Sequence, residues 1–248
     1  MTLTHQPGAP RWVDLGTTDI AGAVAFYSAL FGWEHQDLGP EAGGYGFFTK
    51  DGKMAAGIGP ATDAARGTSW AVYFGTEDSA ATAGRIEASG GKVIVPPDAV
   101  MDQGTLAVFT DPAGAFFSTW QAGTHDGVGI MREPGALSWV ELYTPDPAGA
   151  KEFYGAVFAM SHEDRDLGGE VYTTLSVAGQ PIGGVFDPPG SAGMPPHWMP
   201  YFGVADADAS ADRAIELGAV QLMRGDYPDG RLAILTDPQG GQFGILTW

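Results

Sequence analysis

Much of this sequence is written twice. Trp12-Val13-Asp14-Leu15, then Phe26-Tyr27, then Ser28-Ala29-Leu30-Phe31-Gly32 returns as Trp139-Val140-Glu141-Leu142, Phe153-Tyr154 and Gly155-Ala156-Val157-Phe158-Ala159. Trp12 and Trp139 stand 127 positions apart, as do Phe26 and Phe153. Trp70 and Trp198, and the Thr-Asp-Pro triplets at Thr110 and Thr236, keep that spacing to within one residue. A repeat this long is no solenoid period. It marks duplication of a whole folding module, so function is to be sought at paired, pseudo-symmetric positions.

Each half carries the same local signals. A short alternating strand (Arg11 to Gly16; Ser138 to Tyr143) precedes Asp19 or Asp146 at a helix start, with Pro147 at the first-turn position that tolerates it. The helix follows, with apolar residues spaced three and four apart: Val24, Phe26-Tyr27 and Leu30-Phe31 in one copy, Ala150, Phe153-Tyr154 and Val157-Phe158 in the other. Three glycine-punctuated strands come next, then a Pro/Gly-rich loop. The pattern restarts at Trp70 and at Trp198, each time ending in an Asp-Pro turn and a last strand. Each half is thus βαβββ twice, and the chain holds four such units. The expected fold is α+β, with two tandem modules at 8–122 and 137–248 joined by a linker at 123–136. Helices on one side of antiparallel-rich sheets leave curved sheets lining a cavity.

Composition narrows the function. A formal net charge of −18, with 12 Lys+Arg against 30 Asp+Glu, argues against a nucleic-acid footprint and permits attraction of cationic small molecules. The absence of cysteine removes thiol nucleophiles, disulfides and Cys-zinc sites. No apolar run approaches the roughly 20 residues of a membrane helix, and Met1 to Pro10 has no signal-peptide pattern. A cytoplasmic protein without nucleic-acid or membrane partners is expected. No phosphate-binding glycine motif or nucleophile elbow is present.

The four βαβββ units, the Asp19-to-Tyr27 and Asp146-to-Tyr154 helix starts and the paired Thr-Asp-Pro-x-Gly turns together resemble the vicinal oxygen chelate superfamily. That group includes glyoxalase I, extradiol dioxygenases and bleomycin-resistance proteins. The resemblance runs from Arg11 to Trp248. It implies a metal site with a ligand on the first strand of a module, one on the last strand and one at the restart. Those positions are Trp12 and Trp139, Ser118 and Gly244, and Trp70 and Trp198 here. None is a ligand for Zn, Ni or Fe. The expectation is therefore no metal and no cofactor.

Asp14 and Glu141 are the candidate catalytic residues. Strand periodicity puts Asp14 on the face of Trp12 and Glu141 on that of Trp139, with Val13, Leu15, Val140 and Leu142 turned to the helix. A carboxylate beside an indole suits acid–base chemistry, and equally a cation held by charge and by the aromatic face. Trp12, Trp139, Trp70, Trp198, Ser118, Gln242 and His197 are the candidate ligand-binding residues. His35 and His162 match across the repeat at an edge strand, while His5 and His125, in tail and linker, call for no role. Two readings stand. One is a metal-independent binding protein for a cationic or aromatic compound, such as an antibiotic or a toxic metabolite. The alternative is a glyoxalase-, hydroxylase- or lyase-type enzyme using Asp14 or Glu141, or a non-standard metal site. A tandem chain supplies both halves of a pairing that single modules reach by dimerising, so a monomer or weak homodimer is expected.

Overall fold

The structure is a computed structural model describing residues 6–63, 66–188, 193–227 and 230–247. Trp248, the expected end of the last strand, and His5 lie outside the described residues. The first module contains β1 (Pro10–Thr17), α1 (Ile20–Phe31), β2 (Glu34–Asp37), β3 (Gly46–Lys50), β4 (Lys53–Pro60), β5 (Ser69–Gly75), α2 (Ser79–Ala88), β6 (Lys92–Val100), β7 (Gly104–Thr110) and β8 (Phe116–Ala122). The second repeats that order as β9 (Leu137–Tyr143), α3 (Pro147–Phe158), β10 (Ser161–Asp166), β11 (Val171–Val177), β12 (Gln180–Phe186), β13 (His197–Gly203), α4 (Ala207–Glu216), β14 (Val220–Tyr227), β15 (Gly230–Thr236) and β16 (Gln242–Leu246). The fold is the α+β repeat of βαβββ units read from the sequence.

One device starts all four helices. Asp19, Asp78, Asp146 and Asp206 each cap an N-terminus, their carboxylates accepting from the backbone N–H of Gly22, Ala81, Gly149 and Ala209 at 2.9–3.0 Å. In three of them a threonine two residues earlier fixes the cap, its Oγ1 accepting from the Asp N–H: Thr17, Thr76 and Thr144. Such a cap contributes about 1 kcal/mol.

The strand pleat sorts the first strand of each module as expected. Val13, Leu15, Val140 and Leu142 are fully buried. Within each βαβββ block the first strand runs parallel to the last: β1 beside β4, β9 beside β12, β5 beside β8 and β13 beside β16. The other strands join as antiparallel hairpins.

The compact units do not follow the repeat. One comprises Met1–Trp12, Val72–Gly127 and Val140–Trp198; the other comprises Val13–Ala71, Val128–Trp139 and Met199–Trp248. Each takes a first βαβββ block from one module and a second block from the other. Both cores are pinned alike. In one, Tyr154 on α3 donates its hydroxyl to Asp111 of the β7–β8 turn (3.1 Å) and accepts the indole N–H of Trp198 (2.8 Å). In the other, Tyr27 on α1 donates to Asp237 (2.7 Å) and accepts from Trp70 (3.0 Å). The backbone N–H groups of Gly114 and Ala115 complete Asp111, and those of Gln239 and Gly241 complete Asp237. Burial raises both carboxyls above their usual range against these donors, and burial beside the aspartates pushes both phenols well up. The repeated Phe-Tyr and Thr-Asp-Pro motifs are the two ends of this network.

Candidate functional site

Asp14 and Glu141 occupy matching places. Asp14 on β1 pairs in register with Gly57 on β4, and Glu141 on β9 with Gly184 on β12. A tyrosine lies over each glycine. A Cβ on Gly57 would collide with the Tyr45 hydroxyl, and one on Gly184 with the Tyr172 hydroxyl, so glycine is what admits the ring. Tyr45 donates its hydroxyl to Asp14 at 3.2 Å. The carboxylates recognised in the sequence thus come with phenols that sequence reasoning passed over. Tyr45 lies just before β3 and Tyr172 on β11, and in the sequence both stand only as strand residues. The repetition of Tyr45 at Tyr172, at the common offset of 127, was the available signal.

The second module adds more. Tyr143, two residues beyond Glu141 on the same strand face, donates its hydroxyl to the Glu141 carboxylate at 2.6 Å. Both side chains are buried. The His197 ring stacks on Tyr143, with centroids 5.3 Å apart and planes 18° from parallel. His197 Nδ1 lies 2.9 Å from the Pro195 carbonyl. A carbonyl only accepts, so the His197 Nδ1–H donates to it. A shallow depression open to solvent, with room for about one water, is lined by Tyr143, Thr144, Pro145, Pro188, Met194 and Pro195.

The other expected binding residues are dispersed. Trp70 and Trp198, expected on a cavity wall, are core residues with their N–H groups committed to Tyr27 and Tyr154. Trp12 is buried edge-on against His125, 4.4 Å between ring centroids, and Trp120 donates its indole N–H to the His125 carbonyl at 2.9 Å. His125, which called for no role, is thus a packing residue of its unit. An Arg11–Asp126 ion pair lies beside it. Ser118 is buried, Trp139 half-buried, and Gln242 exposed at the start of β16.

A metal does not fit the donor set. Among the described residues no group of three or more His, Asp or Glu side chains is arranged to hold a metal ion. Two of the family's ligand positions carry Trp70 and Trp198, whose indoles are spent on the core hydrogen bonds above.

Two family profiles cover nearly the whole chain. Residues 10–119 match the Glyoxalase/Bleomycin resistance protein/Dioxygenase superfamily, and residues 139–246 match a glyoxalase-like domain. The chain belongs to that superfamily. Superfamily relatives similar over full length include the anthracycline biosynthesis protein DnrV of Streptomyces peucetius, 38% identical over 97% of this chain and 93% of the relative. The putative glyoxylase CFP32 of Mycobacterium bovis is 37% identical over 98% of this chain and 95% of its own. Among solved structures, the Mn(II)-bound glyoxalase from Novosphingobium aromaticivorans superposes with a TM-score of 0.68 at 18% identity, over 98% of this chain and 82% of that one. The 2,3-dioxygenase LapB from Pseudomonas sp. KL28 gives 0.67 at 15%, over 98% and 93%. At such identities these two likenesses are of fold. No helix among the described residues is long and apolar enough to cross a membrane.

Proposed function

We propose that this superfamily member is a metal-independent binding protein for a small organic compound, cationic or aromatic, such as an antibiotic or a toxic metabolite. The observation that carries this reading is the carboxylate–tyrosine–glycine arrangement at one register position in both modules, Asp14 with Tyr45 over Gly57 and Glu141 opposite Gly184 under Tyr172. It supplies negative charge beside aromatic faces, which suits a cation or a flat ring. The names of its relatives, an anthracycline biosynthesis protein and a putative glyoxylase, agree with a small organic ligand in either case. A monomer or weak homodimer in the cytoplasm is part of the same reading.

A second reading is favoured by one feature. A carboxylate, a phenol bonded to it and a stacked imidazole, Glu141, Tyr143 and His197, lie together as groups capable of acid–base chemistry. Acid–base turnover without a metal would use these groups.

The first test is elemental mass spectrometry on untagged protein before and after soaking with Zn, Ni, Mn and Fe(II). The expected result is no stoichiometric metal under any condition. One metal per chain would overturn the metal-independent reading. Metal-free protein that binds its compound without converting it supports binding; product formation lost in Glu141→Gln supports the enzyme.

A further inference from the structure

Asp14 and Glu141 occupy matching places, yet the residues around them have diverged in one direction. Two positions beyond Asp14, on the same strand face, stands Gly16, which pairs in register with Gly59 of β4. The matching pair in the second module is Tyr143 with Phe186. On the neighbouring strand, β5 carries Ser69 where β13 carries His197, and then Ala71 where β13 carries Met199. Small residues of the first module thus stand for large ones in the second at all four positions. The carboxylates reflect it. Glu141 is 7% exposed and takes the Tyr143 hydroxyl at 2.6 Å, with His197 stacked on that ring. Asp14, Gly16, Ser69 and Ala71 are only half-buried.

Gly16 is the most telling of the four. Gly59 is held to glycine by Tyr45, whose ring a Cβ there would approach to 2.9 Å. Gly16 is under no such constraint. A Cβ on it would meet the Ala61 Cα at 3.6 Å and the Ser69 carbonyl oxygen at 3.8 Å, which are ordinary contacts, and its φ lies outside the left-handed region. Glycine inside a strand costs stability. Where the fold does not require it, such a glycine marks a place where a ligand approaches the backbone closely.

We infer that the Asp14 face of the first module, in preference to the Glu141 face of the second, receives the ligand, and that this ligand is a flat ring bearing an amine or ammonium group. This rests on the metal-independent binding reading above and names the carboxylate that serves it. The backbone at Gly16, flanked by Ser69 and Ala71, offers a low floor on which a ring can lie, and Tyr45 supplies an aromatic ring beside Asp14. An ionised Asp14 only accepts hydrogen bonds, so it selects a group that donates. A carboxylate or phosphate would meet like charge there, and the net charge of −18 adds a long-range bias of the same sign. In the second module Tyr143, Phe186 and His197 fill the corresponding positions with the chain's own rings.

NMR titration of the isotope-labelled full chain with 2-naphthylmethylamine, followed by backbone amide shifts, reads the place of binding directly. The expected result is saturable shifts centred on Gly16, Gly57, Gly59 and Ser69, with no equal set at Tyr143, Gly184, Phe186 and His197. 2-Naphthoate presents the same ring with opposite charge and is expected to bind at least tenfold more weakly. Gly16→Tyr places the second module's residue in the first and should weaken amine binding at least tenfold, with a melting temperature no lower than the parent's. Asp14→Asn removes the charge at nearly constant shape and should weaken it about tenfold; this variant decides the matter if Gly16→Tyr melts lower. Shifts centred on the second module, equal binding of 2-naphthoate, parental affinity in Asp14→Asn or in a folded Gly16→Tyr, or no shifts at all would each overturn the inference. The metal measurement is separate. Metal-free protein that binds the amine at the second module leaves the binding reading standing and removes this one, whereas a stoichiometric metal removes both.

Discussion

Ala159 ends α3 in the left-handed region at φ 55°, where its counterpart Gly32 ends α1 at φ 70°. A Cβ in that region costs roughly 1–2 kcal/mol, while glycine gives back about 0.5–1 kcal/mol in unfolded-chain entropy. Ala159→Gly should therefore raise stability by up to about 1 kcal/mol, read as a higher urea midpoint at unchanged slope. His125 gives a second residue-scale expectation. Burial against Trp12 and Trp120 lowers its pKa, with Asp126 opposing and Arg11 adding. The unfolded chain takes up that proton near pH 6.5, while the folded chain holds out to lower pH. Stability from this residue is therefore full above about pH 6.5 and falls as pH drops through and below it. Urea midpoints at pH 7.5 and 5.5 should differ more in the parent than in His125→Gln. Equal differences would show that another group sets the slope.

At the scale of elements, the Tyr–Asp–Trp networks tie a helix, a turn and a strand by one hydroxyl. Tyr27→Phe leaves the Trp70 N–H without its acceptor and Asp237 short of one donor; Tyr154→Phe does the same to Trp198 and Asp111. A buried donor left unsatisfied costs about 1–3 kcal/mol, so each variant should lose that much in urea denaturation. A neutral result would mean the cores rebuild around water. The raised carboxyls of Asp111 and Asp237 work opposite to His125. Because their folded pKa exceeds the unfolded value, their share of stability grows as pH falls from above the folded pKa towards the unfolded one, near 3.9. At the surface, Asp208 bridges Arg224 and Arg231, which also reach Asp212 and Asp226, joining α4 to β14 and β15. These exposed pairs lower the Asp208 pKa through the Arg231 hydrogen bond first. Salt screens them, and their effect is small.

At the scale of the whole molecule, the order of strands and helices and the four capped βαβββ blocks were written in the chain. Asp caps, 3.6-residue apolar spacing and Asp-Pro turns are local signals, and the duplication states each one twice. The strand face of Asp14 and Glu141 was legible because alternation assigns it from two neighbours alone. Tyr143 was not, because its counterpart is Gly16 and a search on repeated positions passes over it. Trp70 and Trp198 were candidate ligand-binding residues because they stand on strands expected to line the cavity. Their destination depended on an acceptor 43 or 44 residues away, at Tyr27 and Tyr154. His125 likewise acquires its environment from Trp12, far back in the chain. The sequence by itself determined the elements and the superfamily, since those follow from contacts within a few residues and from motif spacing. Which block joins which compact unit, which aromatic serves the core, and which carboxylate gains a phenol and a stacked histidine were decided only by the tertiary structure. Those outcomes depend on packing between segments distant along the chain, and local periodicity carries no record of it.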